Sequence, residues 1–322
     1  MSGLPSHVEI KEEGPREGFQ IESGDIPTER KIELIEALAE TGLKTIQIVS
    51  FVNPKRVPGM ADADSVAAGF RPKEGVNYMA LWLNDKVFRR ALSYDKLYLE
   101  GKLTLYASDA FLLRNQNRTQ KQQIEAQPEL IRLYQEHNVP VRTGFITAAF
   151  GCNFEGDVRT AKVVSLVSDL RRVASDHGEA LKLIGLADTM AWANPESIKR
   201  IVGAVQDANP DIALSLHLHN TRGLGLANAY AGLQMGVRHF DAAVGGLGGC
   251  PFGKHRGAAG NIATEDFVLM CHEMGIETGV DLEKLIDCAV LAEEIVGHPL
   301  PGAVKTGGSL NNLRARITGE NN

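Results

Sequence analysis

The chain has 322 residues, 43% of them hydrophobic, and a formal net charge of -6. That length allows one large barrel-like domain or two ordinary ones, and charge spread along the sequence with no basic face excludes nucleic acid as an expected partner. The four cysteines, Cys152, Cys250, Cys271 and Cys288, lie far apart with no C-x-x-C pairing, which points to a reducing compartment and away from a structural zinc knot.

The N-terminal MSGLPSHVEIKEEG carries neither a secretory signal nor an arginine-rich leader, and no later run reaches membrane-spanning length. The ending I-T-G-E-N-N is not a peroxisomal address, so a cytoplasmic protein without a membrane segment is the expectation. Eight short β-branched or apolar runs follow in order: His7 to Lys11, Lys44 to Ser50, Val76 to Leu83, Lys102 to Ala107, Val139 to Thr147, Leu181 to Leu186, Ile212 to Leu218 and Val237 to Val244. Between them lie helical stretches. Pro27 to Thr41 has Thr28 as its expected cap and Ile32, Leu34, Ile35 and Leu38 on one face. The others are Asp85 to Leu97, Thr119 to His137, Asp157 to His177, Asn194 to Ala208, Leu224 to Met235 and Glu265 to Met274.

Strand then helix, repeated eight times, is the pattern of an α/β protein with a (β/α)8 TIM barrel. A doubly wound open sheet is the alternative, but no G-x-G-x-x-G follows the first strand. The barrel is expected over residues 1–280. Residues 281–322 would form a C-terminal extension packed on it, helical over Asp281 to Val296 and then a Gly- and Asn-rich tail from Gly302.

Chemistry in such barrels sits on the loops after the strands. The seventh strand ends L-H-L-H-N, and side chains two apart on a strand share a face, so His217 and His219 can hold one metal ion. After the first strand come Glu12, Glu13, Arg16, Glu17 and Gln20, with Glu17 the chosen carboxylate ligand and the other two glutamates its rivals. After the eighth comes the glycine-dense loop GGLGGCPFGKHRGAAGN, ending at Asn261, an amide ligand or else the cap of the next helix. A carboxylate, two imidazoles and an amide oxygen suit Mg2+ or Mn2+ better than a closed zinc site. Asp188, after the sixth strand, is placed either to orient a histidine or to cap a helix. The glycine-dense loop is a candidate lid, and Cys250 on it is better placed for proton transfer than Cys152, which lies on another active-end loop; Cys271 and Cys288 fall in helices as packing residues.

The segments GPREGFQ (14–20), IPTERK (26–31), SFVNPKRVPGMAD (50–62), HLHNTRGLGLAN (217–228), GLGGCPFG (246–253) and GNIATED (260–266) resemble, in order, the 3-hydroxy-3-methylglutaryl-CoA (HMG-CoA) lyase family. The resemblance runs from about Val8 to about Glu283. It implies a TIM barrel that uses Mg2+ or Mn2+ to cleave a 3-hydroxyacyl-CoA thioester, by a retro-Claisen type of C-C cleavage, into a smaller acyl-CoA and a keto acid. It also implies a homodimer, with the C-terminal helices as contact surface. Carried over by position, His217, His219 and Asn261 match metal ligands, Cys250 the mobile-loop catalytic cysteine, and Arg16 the arginine that stabilises the thioester enolate. His217 or a metal-linked water is the expected base.

Three departures bear on substrate. Glu17 stands where the family has aspartate, and Gln47 where it has a glutamate facing the substrate. The loop from Cys250 to Asn261 is longer than in the family and carries Lys254, His255 and Arg256, of which Lys254 and Arg256 could meet a carboxylate or a CoA phosphate. The expectation is the family's reaction class on HMG-CoA or a related thioester such as citramalyl-CoA, methylmalyl-CoA or a longer 3-hydroxyglutaryl-CoA, with a non-catalytic acyl-CoA-binding homologue as the minor alternative.

Overall fold

The computed structural model describes residues 3–82, 84–249 and 260–319. Eight parallel strands are present: β1 Glu9–Glu12, β2 Thr45–Ser50, β3 Asn77–Leu81, β4 Gly101–Tyr106, β5 Val141–Thr147, β6 Leu183–Ala187, β7 Ala213–His217 and β8 His239–Ala242. They pair in the order β3-β2-β1-β8-β7-β6-β5-β4. Pairing of β8 with β1 curls the sheet into a barrel, with Lys11 opposite Asp241 and Asp241 opposite His217. Among the described residues β3 and β4 form no ladder; the seam between them is crossed by Tyr98 N–H donating to the Tyr78 carbonyl at 2.7 Å.

Seven of the eight strands are shorter by a residue or more than their apolar runs, while β4 equals its run in length and lies one residue earlier. Alternation decides the faces. In β7, Leu214 and Leu216 belong to the continuous core, while Ser215 and His217 line the lumen. The helix Pro195–Ala208 starts at a capping box between Asn194 and Ser197 and buries Ile198, Ile201, Val202 and Val205. Its 3.6-residue period lays that stripe against the sheet.

Several helix expectations change. Thr28 does not cap Thr28–Ala39; its hydroxyl donates to Asp62 at 2.8 Å, and Pro27 occupies the cap position. The stretch from Asp85 is helical only to Ala91, and Thr119 to His137 divides into Gln120–Glu125 and Gln127–Glu136, with Pro128 in the first turn of the second. Short helices at Ala63–Gly69 and Asp109–Gln116 were not expected. The Gly- and Asn-rich tail contains two short helices, Val304–Gly307 and Leu310–Thr318. The helix Leu282–Val296 joins the same hydrophobic core as the barrel through Leu285, Cys288, Ala289 and Ala292. No helix among the described residues is long and apolar enough to cross a membrane.

Candidate metal centre

Immediately after β1 the chain makes a π-helical turn, Gly14–Gly18, in which the amides of Arg16 and Glu17 both donate to the Glu13 carbonyl, at 3.1 and 2.7 Å. The turn points two consecutive side chains, Arg16 and Glu17, at the end of β7. There the His217 and His219 rings lie 5.1 Å apart. Glu17, His217 and His219 each offer one ligand atom, all within 4.8 Å of one another, and all three residues are buried. Gly248, at φ +92, closes the site from the other side; a Cβ there would meet Asn261 Nδ2 at 2.6 Å and Glu17 Cγ at 3.0 Å.

The histidine tautomers follow from their outer partners. His219 Nδ1 lies 2.9 Å from the Thr189 carbonyl, and His217 Nδ1 lies 3.1 Å from Asp241 Oδ2. Both acceptors require a proton on Nδ1, which turns the Nε2 lone pairs inward. His219 Nε2 then faces Glu17 Oε1 at 3.0 Å, and His217 Nε2 faces Glu17 Oε2 at 3.6 Å. Lone pair against carboxylate is repulsive unless a proton or a cation lies between them. Without a cation the proton wins: burial works against the imidazolium, but the charge of Glu17 and the bond to Asp241 outweigh it and raise the His217 pKa to about 10. Glu17 is likewise opposed by burial, yet His217 and Arg16 hold it well below the usual carboxylate range. Asn261 donates from Nδ2 to Glu17 Oε1 at 3.1 Å and to the Leu247 carbonyl at 3.0 Å, while its buried Oδ1 meets no donor among the described residues. A cluster of inward lone pairs, one carboxylate and an orphaned amide oxygen fits a divalent cation.

The family model described as HMGL-like matches residues 7–291. The chain belongs to the HMGL-like family. Hydroxymethylglutaryl-CoA lyase YngG of Bacillus subtilis is 38% identical over 297 residues, covering 92% of this chain and 96% of its own length. The cytoplasmic 3-hydroxy-3-methylglutaryl-CoA lyase of Mus musculus is 39% identical over 287 residues, covering 89% and 80%. Among solved structures, an HMG-CoA lyase from Acinetobacter baumannii in complex with coenzyme A and 3-methylmalate superposes with a TM-score of 0.85 at 38% identity, covering 96% of this chain and 97% of that one.

In this HMGL-like barrel the three acidic rivals separate cleanly. Glu12 turns away from the cluster: its carboxylate accepts from the amides of Gly14 and Val244 and from the Thr264 hydroxyl. Glu13 pairs with Arg16 and, at 3.0 Å, with Lys11. Only Glu17 meets the imidazoles. Arg16 spans Glu13 and Glu17, reaching the latter at 3.0 Å, and lines a cavity of about 910 Å3 together with Gln20, Gln47 and the cluster. The carboxamide oxygens of Gln20 and Gln47 are buried there without a donor among the described residues.

Two expectations are corrected. Asp188 makes no hydrogen bond to either histidine among the described residues; its Oδ1 accepts from the amides of Trp192 and Ala193 at 2.7 and 3.0 Å in the turn after β6, its buried Oδ2 meets no donor among the described residues, and Asn194 caps the next helix. Asn261 is not a cap either, because Ala263 holds that position. The orienting carboxylate is Asp241 on β8, also held by Lys11 at 3.1 Å. Burial disfavours its charge, but Lys11 and His217 keep it well below the usual range. The signal for it lay in the sequence: a carboxylate between Phe240 and Ala242 within a barrel strand needs a partner. Cys152 is fully buried beside Met190 and Phe111, its sulfur accepting from the Ser108 hydroxyl at 3.1 Å, so it packs. Burial raises the Cys271 and Cys288 thiols to about 12, as fits packing residues. Cys250, Lys254, His255 and Arg256 lie outside the described residues.

Proposed function

We propose that this chain is a divalent-metal-dependent carbon-carbon lyase that cleaves an HMG-CoA-like 3-hydroxyacyl-CoA into a shorter acyl-CoA, such as acetyl-CoA, and a keto acid. One observation carries the reading: Glu17, His217 and His219 each offer one ligand atom, all within 4.8 Å of one another, in a chain 38% identical to a hydroxymethylglutaryl-CoA lyase over 92% of its length. Glu17, His217, His219 and Asn261 would hold Mg2+ or Mn2+. When bound, the cation supplies Lewis acidity that lowers the pKa of the substrate hydroxyl.

The chain's own residues do the rest. Asp241 and the Thr189 carbonyl fix both imidazoles with Nε2 inward. His217 therefore acts as a ligand, and with Nδ1 committed to Asp241 it has no nitrogen left to serve as the base; the hydroxyl proton leaves to water in the cavity. Arg16, clamped by Glu13 and Glu17, presents a fixed guanidinium to the enolate oxygen that develops as the C-C bond breaks. Cys250, on the glycine-dense loop, delivers the proton to the carbanion when that loop covers the substrate. Gln20 and Gln47 contact the acyl group from the cavity wall, and Lys254 and Arg256 meet its carboxylate or the CoA phosphates. The reading includes a cytoplasmic homodimer in contact through the C-terminal helices, where Leu313 and Ile317 are 51% and 78% exposed; light scattering of the purified protein tests the stoichiometry.

A second reading keeps the chemistry and changes the acyl group to methylmalyl-CoA or citramalyl-CoA. It is favoured by Gln47, which puts a neutral amide at the cavity wall, and by the 3-methylmalate bound in the A. baumannii relative. A coupled assay for acyl-CoA release from HMG-CoA, citramalyl-CoA, methylmalyl-CoA and 3-hydroxyglutaryl-CoA separates the two. Turnover should vanish with EDTA and return with Mg2+ or Mn2+. Full activity in metal-free protein, or CoA-thioester binding with no turnover of any of the four, overturns the lyase assignment.

A further inference from the structure

The turn that presents Arg16 and Glu17 runs straight into Phe19–Ile21, a single helical turn too short to hold its place by its own hydrogen bonds. Its support comes from the loop after β2. Gly59, in the short helical turn Pro58–Met60, lies so close beneath it that a Cβ on Gly59 would meet the Phe19 carbonyl oxygen at 2.0 Å and the Glu22 carbonyl oxygen at 3.1 Å. Pro58 backs the next stretch, since a Cβ on Gly24 would meet Pro58 Cβ at 3.1 Å. Phe19 is fully buried and its amide donates to the Arg16 carbonyl, so the backbone carrying the two site residues rests on Gly59.

A buried lysine holds Gly59 in place. Lys31, on the helix Thr28–Ala39, is 3% exposed, and its ammonium donates to the Gly59 carbonyl at 2.8 Å and to Asp62 Oδ1 at 2.7 Å. The other Asp62 oxygen accepts from the Thr28 hydroxyl. Asp62 stands at the N-cap of Ala63–Gly69, where an aspartate ordinarily accepts from a first-turn amide, yet its carboxylate makes no such bond. Burying an ammonium and forgoing a cap both cost stability, and a buried ion pair is often no more stabilising than apolar packing. The arrangement is accounted for by what it fixes, which is the level of Gly59 under the turn.

We propose that Lys31 is a positioning residue for the metal centre: by pinning Gly59 and Asp62 it sets the place of Phe19–Ile21, and through it the reach of Glu17 toward His217 and His219. The inference rests on the metal reading of that cluster and adds a residue that lines no part of its cavity. The imidazoles are held separately, by Asp241 and the Thr189 carbonyl, so a shifted turn changes the distances from Glu17 to both rings. Displacements of this size matter because a binding constellation is only as precise as the shell that supports it.

The test reads Mn2+ affinity by electron paramagnetic resonance in Lys31→Met, Gly59→Ala, the double variant and Lys96→Met. Methionine keeps the aliphatic stem and removes the charge, and Asp62 is not stranded, because its side chain is 23% exposed and keeps Thr28. Lys96 is the matched control: it donates to the Ala68 and Phe70 carbonyls at 2.6 and 2.9 Å and lines no part of the cavity. Lys31→Met should weaken Mn2+ binding about tenfold, the low end for outer partners, while Lys96→Met lowers the melting temperature and keeps affinity within about twofold of wild type. Gly59→Ala, the second handle should Lys31→Met not fold, lifts Phe19 and should lose at least as much. In the double variant the freed loop yields to the added methyl, so the loss should not exceed that of Gly59→Ala alone. Affinity within about twofold of wild type in Lys31→Met, an equal loss in Lys96→Met, or additive losses in the double variant overturns the proposal. If the wild type binds no Mn2+, the metal reading fails, and hydrogen exchange of the Glu17 amide, which donates to the Glu13 carbonyl, decides Lys31. Exchange at least about tenfold faster in Lys31→Met than in Lys96→Met supports the positioning role, and equal rates refute it.

Discussion

Replacing Asp241 tests whether the histidines are held for metal from outside the cluster. Asp241 is 4% exposed and holds two groups, His217 Nδ1 at 3.1 Å and Lys11 Nζ at 3.1 Å. In Asp241→Asn, Lys11 keeps Glu13 at 3.0 Å, so no buried ammonium is stranded. The loss falls on His217, whose Nδ1–H must donate to a neutral amide oxygen in place of a carboxylate. Outer partners of this kind contribute about 10- to 100-fold in metal affinity. Asp241→Asn should sit near the low end, about 1.4 kcal/mol, and Asp241→Ala, which leaves Nδ1 with no acceptor, near the high end. Asp188→Ala is the control. Its carboxylate serves two turn amides, so it should lower the melting temperature through about 1–3 kcal/mol of lost stability while leaving metal affinity alone. Mn2+ titration followed by electron paramagnetic resonance measures the affinities. Wild-type affinity in both Asp241 variants, or an equal loss in Asp188→Ala, would refute the assignment of the orienting role.

Glu17→Gln removes the carboxylate that faces both imidazoles and should weaken Mn2+ binding by well over the 100-fold upper figure for outer partners; binding within tenfold of wild type contradicts its place as a ligand. Because Glu17 and Asp241 raise His217 to about 10 when no cation is bound, metal must displace that proton. Uptake of Mn2+ at pH 7 to 8 should release about one proton per ion, and affinity should climb with pH, as calorimetry in buffers of different ionisation enthalpy will show; a pH-independent affinity speaks against the protonated apo-state. Burial raises Glu12 to about 7 and Glu265 to about 8, so each keeps its proton when folded while the unfolded chain releases it near the ordinary carboxylate pKa of 4.5. Their stabilising effect is therefore complete in acid and lost as pH rises through 7 to 8. Glu265→Gln should melt higher relative to wild type at pH 8 than at pH 5, and an equal difference at both pH values would count against the shift.

The repeated strand-helix alternation and the L-H-L-H-N strand end made the barrel and the imidazole pair legible, because both depend on local periodicity. Glu17 was not separable from Glu12 and Glu13 by spacing; the π-helical turn that sends consecutive side chains into the site brings Gly14 close to Val244 and Gly18 close to Leu247, far along the chain. Asp241 and Lys11 were readable in principle as charges within strands. Their meaning appears only when the sheet closes and brings β1 and β8 around one lumen. The tail helix Leu310–Thr318 was hidden by Gly307, Gly308 and paired asparagines, all of weak helix propensity; its apolar residues Leu310, Leu313 and Ile317 stay exposed, and Arg314 ties it to Glu273 at 2.7 Å.

The most direct measurement is anomalous diffraction from crystals of the Mn2+-loaded protein. A single peak about 2.0–2.3 Å from Glu17, His217 Nε2, His219 Nε2 and Asn261 Oδ1 is predicted. A peak held by other residues, or imidazoles still bound to Glu17 with no ion between them at saturating Mn2+, would contradict the metal centre and with it the proposed cleavage.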